Sequence, residues 1–220
     1  MSLPQLDDLA ERAAQDFEAR NAAREQALAR TRALIRHCAR AIQAVHRGDD
    51  ARARALLDEA HALARTLQAD LAPFPDLYYA GYTQDALKEY AEANIVFGLL
   101  RQGQLPDPDA LQVPYNTFLR GLAEAVGELR RHVLNILRNG YSAEAETTLA
   151  YMDDIYGLLV TLDYPDAITG GLRRLTDIAR SLLERTRGEL TMSLRLQVVE
   201  EALARFQPTD GAAPRTQGPA

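Results

Sequence analysis

Two stretches of the sequence carry carboxylates at helical spacing, and carboxylates in such patterns can hold metal ions. The first stretch has side chains at steps of four, three, four and three residues, which are Asp85, Glu89, Glu92, Val96 and Leu99. This spacing puts them in one stripe of a helix, acidic at its start and apolar at its end. In the second stretch Glu124 and Glu128 lie one turn apart, near Gly121 on the same face. Glutamates that converge from two antiparallel helices would form an all-oxygen site suited to Mg²⁺ or Mn²⁺.

Ordinary ion pairs are the alternative interpretation of the same glutamates. Suitable partners stand four residues apart in the pairs Lys88 with Glu92, Arg120 with Glu124, and Glu128 with His132. Such pairs are common on the exposed faces of helices and contribute little to stability. The spacing alone therefore leaves a metal site and a charged surface as open alternatives.

Arginines recur along the segment that precedes these glutamates. Arg32, Arg36 and Arg40 lie at steps of four residues, and Arg24 and Arg47 extend the row. Because guanidinium groups bind phosphates through paired hydrogen bonds, such a row could bind nucleic acid. A solvated helix face is the alternative interpretation of the arginine row.

Charge and composition restrict how such binding could arise. The 220 residues include 25 basic and 31 acidic side chains, for a net charge of −6, so attraction to nucleic acid must come from a local patch. The single cysteine, Cys38, fits a reducing compartment. No apolar run approaches the roughly 20 residues that cross a bilayer, and the N-terminus lacks a signal-peptide pattern. We expect a soluble cytoplasmic protein with no membrane partner.

Several common catalytic motifs are absent from the sequence. It contains no glycine-rich phosphate loop, no Gly-x-Ser-x-Gly nucleophile motif and no His-Glu-x-x-His zinc motif. A di-iron site in a helical bundle requires Glu-x-x-His pairs, and no histidine here has a glutamate three residues before it. The acidic stretches and the arginine row are therefore the remaining candidates for chemistry.

Glycine and proline divide the chain into segments of helical length, and hardly any segment alternates with a period of two. The predicted helices are one that ends at Gly48, three that cover about residues 51–71, 77–100 and 115–138, one capped by Ser142, and one over about residues 171–206. Because the connections are short, we expect an all-α fold, a single antiparallel bundle of about six or seven long helices over residues 1–207. Residues 208–220 lack apolar periodicity and are predicted to form a disordered tail.

Three stretches carry a resemblance to a known family. They are residues 24–37 with Arg30, Arg32 and Arg36; Tyr78-Tyr79 leading to Leu87-Lys88-Glu89-Tyr90-Ala91-Glu92-Ala93; and the stretch from Gly121 to Arg131, which is the most specific. Through them the sequence, from about Arg24 to Leu203, resembles translin and its partner, translin-associated factor X. The resemblance is closer still to their single-gene bacterial and archaeal relatives.

The resemblance implies an all-helical fold that assembles into a closed, hollow homo-oligomer, with an octamer as the expected form, and that binds RNA or single-stranded DNA. The factor-X branch of the family is a Mg²⁺-dependent endoribonuclease. Its Glu-aromatic-x-Glu motif matches Glu89 to Glu92. Its Gly-x-Ala-Asp-x-x-Gly-Glu-Leu motif matches Gly121 to Leu129, with Glu124 in place of the aspartate. Because plain translin lacks the full carboxylate set, the presence of that set here favours the nuclease branch.

The site residues implied by the resemblance fall into two groups. Catalytic and metal-binding roles fall to Glu89, Glu92, Glu124 and Glu128, and nucleic-acid binding falls to Arg24, Arg30, Arg32, Arg36 and His37. The implied cofactor is Mg²⁺, with Mn²⁺ as the alternative, and the implied reaction is metal-assisted attack of water on a phosphodiester of single-stranded or partly single-stranded RNA. The remaining alternatives are attack by the ribose 2′-OH, a non-catalytic scaffold that binds RNA or single-stranded DNA, and a structural helical adaptor.

Overall fold

The computed structural model describes residues 4–206, and within that range the chain is helical without any strand. Along the chain the helices are α1 (Pro4–Arg47), α2 (Asp50–Leu71), α3 (Pro75–Tyr78), α4 (Gly81–Phe97), α5 (Pro108–Leu111), α6 (Tyr115–Leu137), α7 (Ala143–Leu159), α8 (Asp166–Thr169) and α9 (Leu172–Phe206). A π-helical turn, Gly98–Gln102, continues α4. Six of these helices are long, so the prediction of an all-α bundle is confirmed. The predicted tail, residues 208–220, lies outside the described residues.

Two of the predicted helix starts are confirmed by side-chain caps. The Asp49 carboxylate accepts a hydrogen bond from the backbone N–H of Arg52 (3.1 Å) at the start of α2. The Ser142 hydroxyl accepts one from the N–H of Ala145 (3.3 Å) at the start of α7. Each cap satisfies a backbone donor that has no partner inside its helix. Gly48, with φ of 74°, separates α1 from α2 as the sequence predicts.

The third predicted helix is divided in the structure. The sequence predicts one helix over residues 77–100, but its first residues belong to the short α3, and α4 begins after a break. The Thr83 hydroxyl donates a hydrogen bond to the carbonyl of Leu77 (2.8 Å), and the Gln84 amide donates one to the carbonyl of Tyr78 (2.8 Å). These side chains supply donors to carbonyls at the break, where the Leu77 carbonyl also accepts the backbone N–H of Ala80 (3.4 Å). Both bonds stabilise the break.

The helices α4 and α6, which carry the acidic stretches, run in the same direction. The Thr117 hydroxyl donates a hydrogen bond to the side-chain carbonyl of Gln84 (2.6 Å). One turn further along α4, Lys88 pairs with Glu124, which lies later in α6. Residue numbers therefore increase in the same direction along both helices, which means that α4 and α6 are parallel. The expectation that the glutamates converge from two antiparallel helices is wrong for this pair.

The segment between α4 and α6 explains the parallel arrangement. It runs back from the end of α4 to the level where α4 begins, so that α6 starts at the same end of the bundle. The backbone N–H of Gln104 bonds the carbonyl of Gly98 (3.1 Å) where the chain turns back. Further on, the Gln68 amide donates to the carbonyl of Gln112 (2.7 Å). Gln112 also lines a cavity together with Tyr78, which lies just before α4. The chain thus reaches the starting end of α4 before α6 begins.

Close packing of α4 against α6 depends on a glycine. Helix α6 packs against α4, α7 and α9, and α1 packs against α2 and α4. A Cβ atom on Gly121 would lie 2.8 Å from the carbonyl oxygen of Lys88 and 3.1 Å from the backbone nitrogen of Glu92. Gly121 therefore allows the two helix backbones to approach at the level of the acidic side chains.

Large apolar side chains are exposed on parts of α1 and α9. They are Leu6, Leu9 and Phe17 on α1, and Met192, Leu196, Val198, Val199 and Leu203 on α9, each more than half exposed. Apolar surface of this kind is typical of protein interaction sites. Within the described part of the chain, no helix is both long enough and apolar enough to cross a membrane.

Candidate metal and nucleic-acid site

Three of the four predicted glutamates form one cluster. Glu89 and Glu92 come from α4 and Glu124 from α6, and one carboxylate oxygen of each lies within 4.8 Å of the others. Glu92 is buried, with 8% of its surface exposed, whereas the side chains of Glu89 and Glu124 are about one third exposed (30% and 31%). The cluster therefore has a buried floor and a rim open to solvent.

The electrostatics of Glu92 test whether a cation fits this cluster. Burial and neighbouring negative charges raise the pKa of the Glu92 carboxyl from 4.5 to about 8. Those charges belong to Glu89, Glu124 and Glu128, and the Lys88 ammonium offsets them only in part. A divalent cation would relieve both the burial and the repulsion, and carboxylate oxygens are the ligands that hard cations prefer. The residues present therefore fit a divalent metal ion.

Lys88 already places one positive charge in the cluster. Its Nζ lies 3.1 Å from Oε1 of Glu89 and also contacts Oε2 of Glu124. Burial lowers the pKa of the Lys88 ammonium, but the hydrogen bonds and charges of the two glutamates outweigh burial and raise it overall. The side chain is therefore charged at neutral pH.

The fourth glutamate has a different partner. Oε2 of Glu128 lies 2.5 Å from Nε2 of His46 and 3.5 Å from Nη1 of Arg131. The hydrogen bond with His46 lowers the pKa of the Glu128 carboxyl, despite the opposing effect of burial. Glu128 is thus close enough to Glu92 to act on its pKa, but its carboxylate is turned toward α1.

Sequence spacing did not identify the partners of Lys88 and Glu128 correctly. His46 precedes Glu128 by 82 residues, so no local pattern connects them. The three ion pairs that the spacing left open as an alternative along α4 and α6 are replaced by other contacts. These are Lys88 with Glu89 and Glu124, Arg120 with Asp85 (3.0 Å), and His132 with Glu144 (2.8 Å). Apart from Glu89, which directly follows Lys88 on α4, the partners lie on other helices, and only tertiary structure can bring them close.

The predicted nucleic-acid residues divide into paired and unpaired side chains. Three have carboxylate partners, which are Arg24 with Glu25 (2.8 Å), Arg30 with Asp70, and His37 with Glu59 (2.8 Å). Arg32 and Arg36 are exposed. Among the described residues, no carboxylate lies within ion-pair distance of either guanidinium. These two arginines, one turn apart on α1, are open to an external anion.

The chain is similar over most of its length to proteins of one family. An uncharacterised protein of Methanocaldococcus jannaschii is 31% identical over 190 residues, which make up 86% of this chain and 84% of the relative. The solved structures of AfC3PO alone and of AfC3PO in complex with duplex RNA are 31% identical to the chain, with TM-scores of 0.80 and 0.81. In both cases the match covers 86% of this chain and 98% of the other.

Apo-NeC3PO, at 21% identity and a TM-score of 0.75 over 88% of this chain and 99% of its own, has the same fold. No profile of a known protein family matches the sequence. The proteins named C3PO are members of the translin family, and the chain belongs to this family too. The resemblance of the sequence to the translin family is thereby confirmed.

Proposed function

We propose that this protein is a divalent-metal-dependent endoribonuclease that acts as a closed homo-oligomer. The observation that carries the proposal is the cluster of Glu89, Glu92 and Glu124, which lies at the contact between α4 and α6. By the resemblance, Glu89 and Glu92 correspond to carboxylates of the nuclease branch of the translin family, and Glu124 stands where that branch has an aspartate. A buried carboxylate with a strongly raised pKa, inside a group of like charges, is typical of a functional site rather than a solvated surface.

The metal ion would be Mg²⁺, with Mn²⁺ as the alternative, held by Glu89, Glu92 and Glu124. When bound, such an ion supplies Lewis acidity toward a phosphodiester and lowers the pKa of water. The chain itself contributes orientation: Gly121 lets α4 and α6 approach, and His46 fixes the carboxylate of Glu128. Glu128 is the fourth proposed catalytic residue. Its Oε2 contacts His46 and Arg131, so Oε1 is the oxygen that would accept a proton.

RNA binding is proposed for the exposed arginines of α1. The protein has a net charge of −6, so a phosphate backbone requires a local cationic surface. Arg32 and Arg36 are exposed and have no carboxylate neighbour in the described part of the chain. Arg24, Arg30 and His37 would have to exchange their present carboxylate contacts for phosphates. AfC3PO, the similar protein, is known in complex with duplex RNA, and single-stranded RNA or DNA presents the same phosphate chemistry.

Assembly of several subunits is proposed from the exposed apolar surfaces. Leu6, Leu9 and Phe17 on α1, and the apolar side chains of the C-terminal half of α9, would bury surface against other copies of the chain. We propose an octamer that encloses the carboxylates, with the cytoplasm as its location. The described residues, 4–206, would form one helical domain.

A non-catalytic scaffold that binds RNA is the second candidate function. The observation that favours it is the Lys88 ammonium, which already compensates part of the charge on Glu89 and Glu124. In a scaffold these residues would stabilise the contact between α4 and α6 without any metal ion. RNA binding would then be independent of divalent cations.

The two functions are separated by incubating the purified protein with end-labelled RNA, single-stranded and duplex, in Mg²⁺, in Mn²⁺ and in EDTA. The nuclease proposal requires cleavage in the presence of metal and none in EDTA. Glu124→Gln should abolish cleavage, and Glu184→Gln, which neutralises an exposed carboxylate on α9, should not. RNA binding without cleavage under all conditions would contradict the nuclease proposal and support the scaffold.

A further inference from the structure

Lys88 has an unusual combination of position and chemistry. It is the only lysine in the sequence, and all other basic side chains apart from histidine are arginines. Its side chain is 11% exposed, and its ammonium bridges Glu89 on its own helix and Glu124 on α6. The ammonium therefore lies between two of the three carboxylates that would hold a metal ion.

An ammonium and a divalent cation cannot share these oxygens without a large repulsion. Both are positive, and the site is partly shielded from water, so their interaction is stronger than it would be in bulk solvent. Both also need direct contact with Glu89 and Glu124, which offer two carboxylate oxygens each. When a metal ion takes these oxygens, the ammonium has to leave them.

The lysine side chain suits such an exchange better than arginine would. Its ammonium is a compact point charge on a flexible four-carbon stem, whereas guanidinium is planar and binds carboxylates through two parallel hydrogen bonds. A compact cation can occupy a space of ionic size and then withdraw by rotation about the stem. Glu89 and Glu124 are at the rim of the cluster, so solvent is close to the ammonium.

We propose that Lys88 is the resident counter-cation of the carboxylate cluster, and that a divalent cation binds by displacing its ammonium. The inference rests on the proposed metal site. In the metal-free protein Lys88 joins α4 to α6 through its pair with Glu124, and it also pairs with Glu89 on its own helix. In the metal-bound protein the ammonium is released toward solvent, where RNA phosphates would be its partners. Lys88 is thus a positioning residue. It weakens the affinity of the site for the metal ion, and it keeps the glutamate side chains ordered when the metal ion is absent.

The first test is metal affinity, measured by calorimetric titration of the oligomer with Mn²⁺ in the absence of RNA. Lys88→Met removes the competing charge while keeping an unbranched stem, so it should bind Mn²⁺ about tenfold or more tightly than the wild type. Lys88→Arg should bind Mn²⁺ more weakly than the wild type, because the guanidinium is harder to displace. Arg120→Met is the matched control, since Arg120 pairs with Asp85 at the same helix contact but outside the cluster. Its Mn²⁺ affinity should be unchanged.

The second test uses the wild-type protein and exploits its single lysine. Acetylation by an amine-reactive ester, followed by mass spectrometry of the peptide that contains Lys88, measures how accessible the ammonium is. Saturating Mn²⁺ should increase the acetylation rate of Lys88 several-fold, and saturating Mg²⁺ should have the same effect. Na⁺ at equal ionic strength is the control and should leave the rate unchanged. This measurement does not depend on whether a variant folds.

The outcomes distinguish the inference from the proposed function on which it rests. Mn²⁺ binding of equal affinity in the wild type and Lys88→Met, with Lys88 acetylation unaffected by metal, would overturn the displacement alone. It would mean that the metal ion and the ammonium occupy different places. If neither the wild type nor Lys88→Met binds Mn²⁺, the metal site itself is refuted, and the displacement with it.

Discussion

The imidazole of His46, in the last turn of α1, lies 2.5 Å from the carboxylate of Glu128 on α6, measured from Nε2 to Oε2. The His46 side chain is 4% exposed and that of Glu128 is 25% exposed. This contact connects α1, which carries the arginine row, to the helix that supplies two of the four predicted catalytic glutamates. His46 therefore fixes the orientation of Glu128, which would otherwise have rotational freedom at the edge of the cluster.

Replacement of His46 by alanine should reduce both stability and RNA cleavage. The change removes a largely buried hydrogen bond to a charged group, which contributes about 1.5–3 kcal/mol. His46→Gln can place an amide donor near the position of Nε2 and should recover much of the loss. Urea unfolding and single-turnover cleavage of labelled RNA measure the two effects. If His46→Ala matches the wild type in both, the orienting role of His46 is wrong.

Glu92 should make the stability of the metal-free protein decrease as pH rises. Its carboxyl pKa is 4.5 in the unfolded chain and about 8 in the fold. Between these values the folded state holds a proton that the unfolded state has released, so the contribution of Glu92 is complete below about pH 4.5 and is lost as pH approaches 8. The free energy of unfolding should fall by at most about 1.4 kcal/mol per pH unit from this group.

Glu92→Gln removes the titration and keeps the shape of the side chain. In EDTA it should be more stable than the wild type at pH 8 and of similar stability at pH 5. The control is Glu184→Gln, whose carboxylate is exposed on α9 and should leave the pH dependence unchanged. Urea unfolding at both pH values provides the comparison. An equal change in stability between pH 5 and pH 8 for the wild type and Glu92→Gln would show that burial and neighbouring charges do not raise the pKa of Glu92.

Gly121→Ala should separate α4 from α6. The new Cβ would lie 2.8 Å from the carbonyl oxygen of Lys88, and overpacking of this kind costs about 1–3 kcal/mol. Gly127→Ala on the same helix is the matched control, because its Cβ would meet only Leu182 at 3.9 Å. That substitution should instead stabilise α6 by up to about 1 kcal/mol through helix propensity. Thermal unfolding of both variants tests the difference, and equal melting temperatures would contradict it.

Arg32→Ala combined with Arg36→Ala should weaken RNA binding and reduce its salt dependence. Each lost phosphate contact removes about 0.7 from the slope of log K against log salt for a single strand, and about 0.9 for a duplex. The matched control is Arg173→Ala with Arg174→Ala, which removes the same charge from exposed positions of α9. Filter binding across a salt series gives the slopes. An unchanged slope in the α1 variant would assign RNA binding to another surface.

Local signals account for the parts of the fold that were predictable from the sequence. Asp49 and Ser142 cap the helices that follow them because a cap needs only a side chain and a backbone N–H a few residues away. The glutamate patterns of α4 and α6 were also local, so the two members of the cluster on α4 and the one on α6 could be named. The break before α4 was missed because Thr83 and Gln84 bond carbonyls across it, and neither residue type signals this by itself.

The remaining features depend on tertiary structure. Proline in residues 98–114 predicts a connection but not its path, and that path makes α4 and α6 parallel. The contact of His46 with Glu128 joins residues far apart in sequence, and the ammonium of Lys88 turns to Glu89 and Glu124 rather than to Glu92. Residue types predicted which carboxylates to consider, but only the packing of α1, α4 and α6 determines their partners.

The central claim is that the carboxylate cluster is the metal centre of a nuclease, and Glu89→Gln tests it most directly. This substitution keeps the length of the side chain while removing a charge that a hard cation requires. We predict that the cleavage rate at saturating Mg²⁺ and RNA falls by about 100-fold or more, while the dissociation constant for RNA stays within about twofold of the wild type. Full cleavage activity in Glu89→Gln, purified free of contaminating nucleases alongside Glu184→Gln, would contradict the claim.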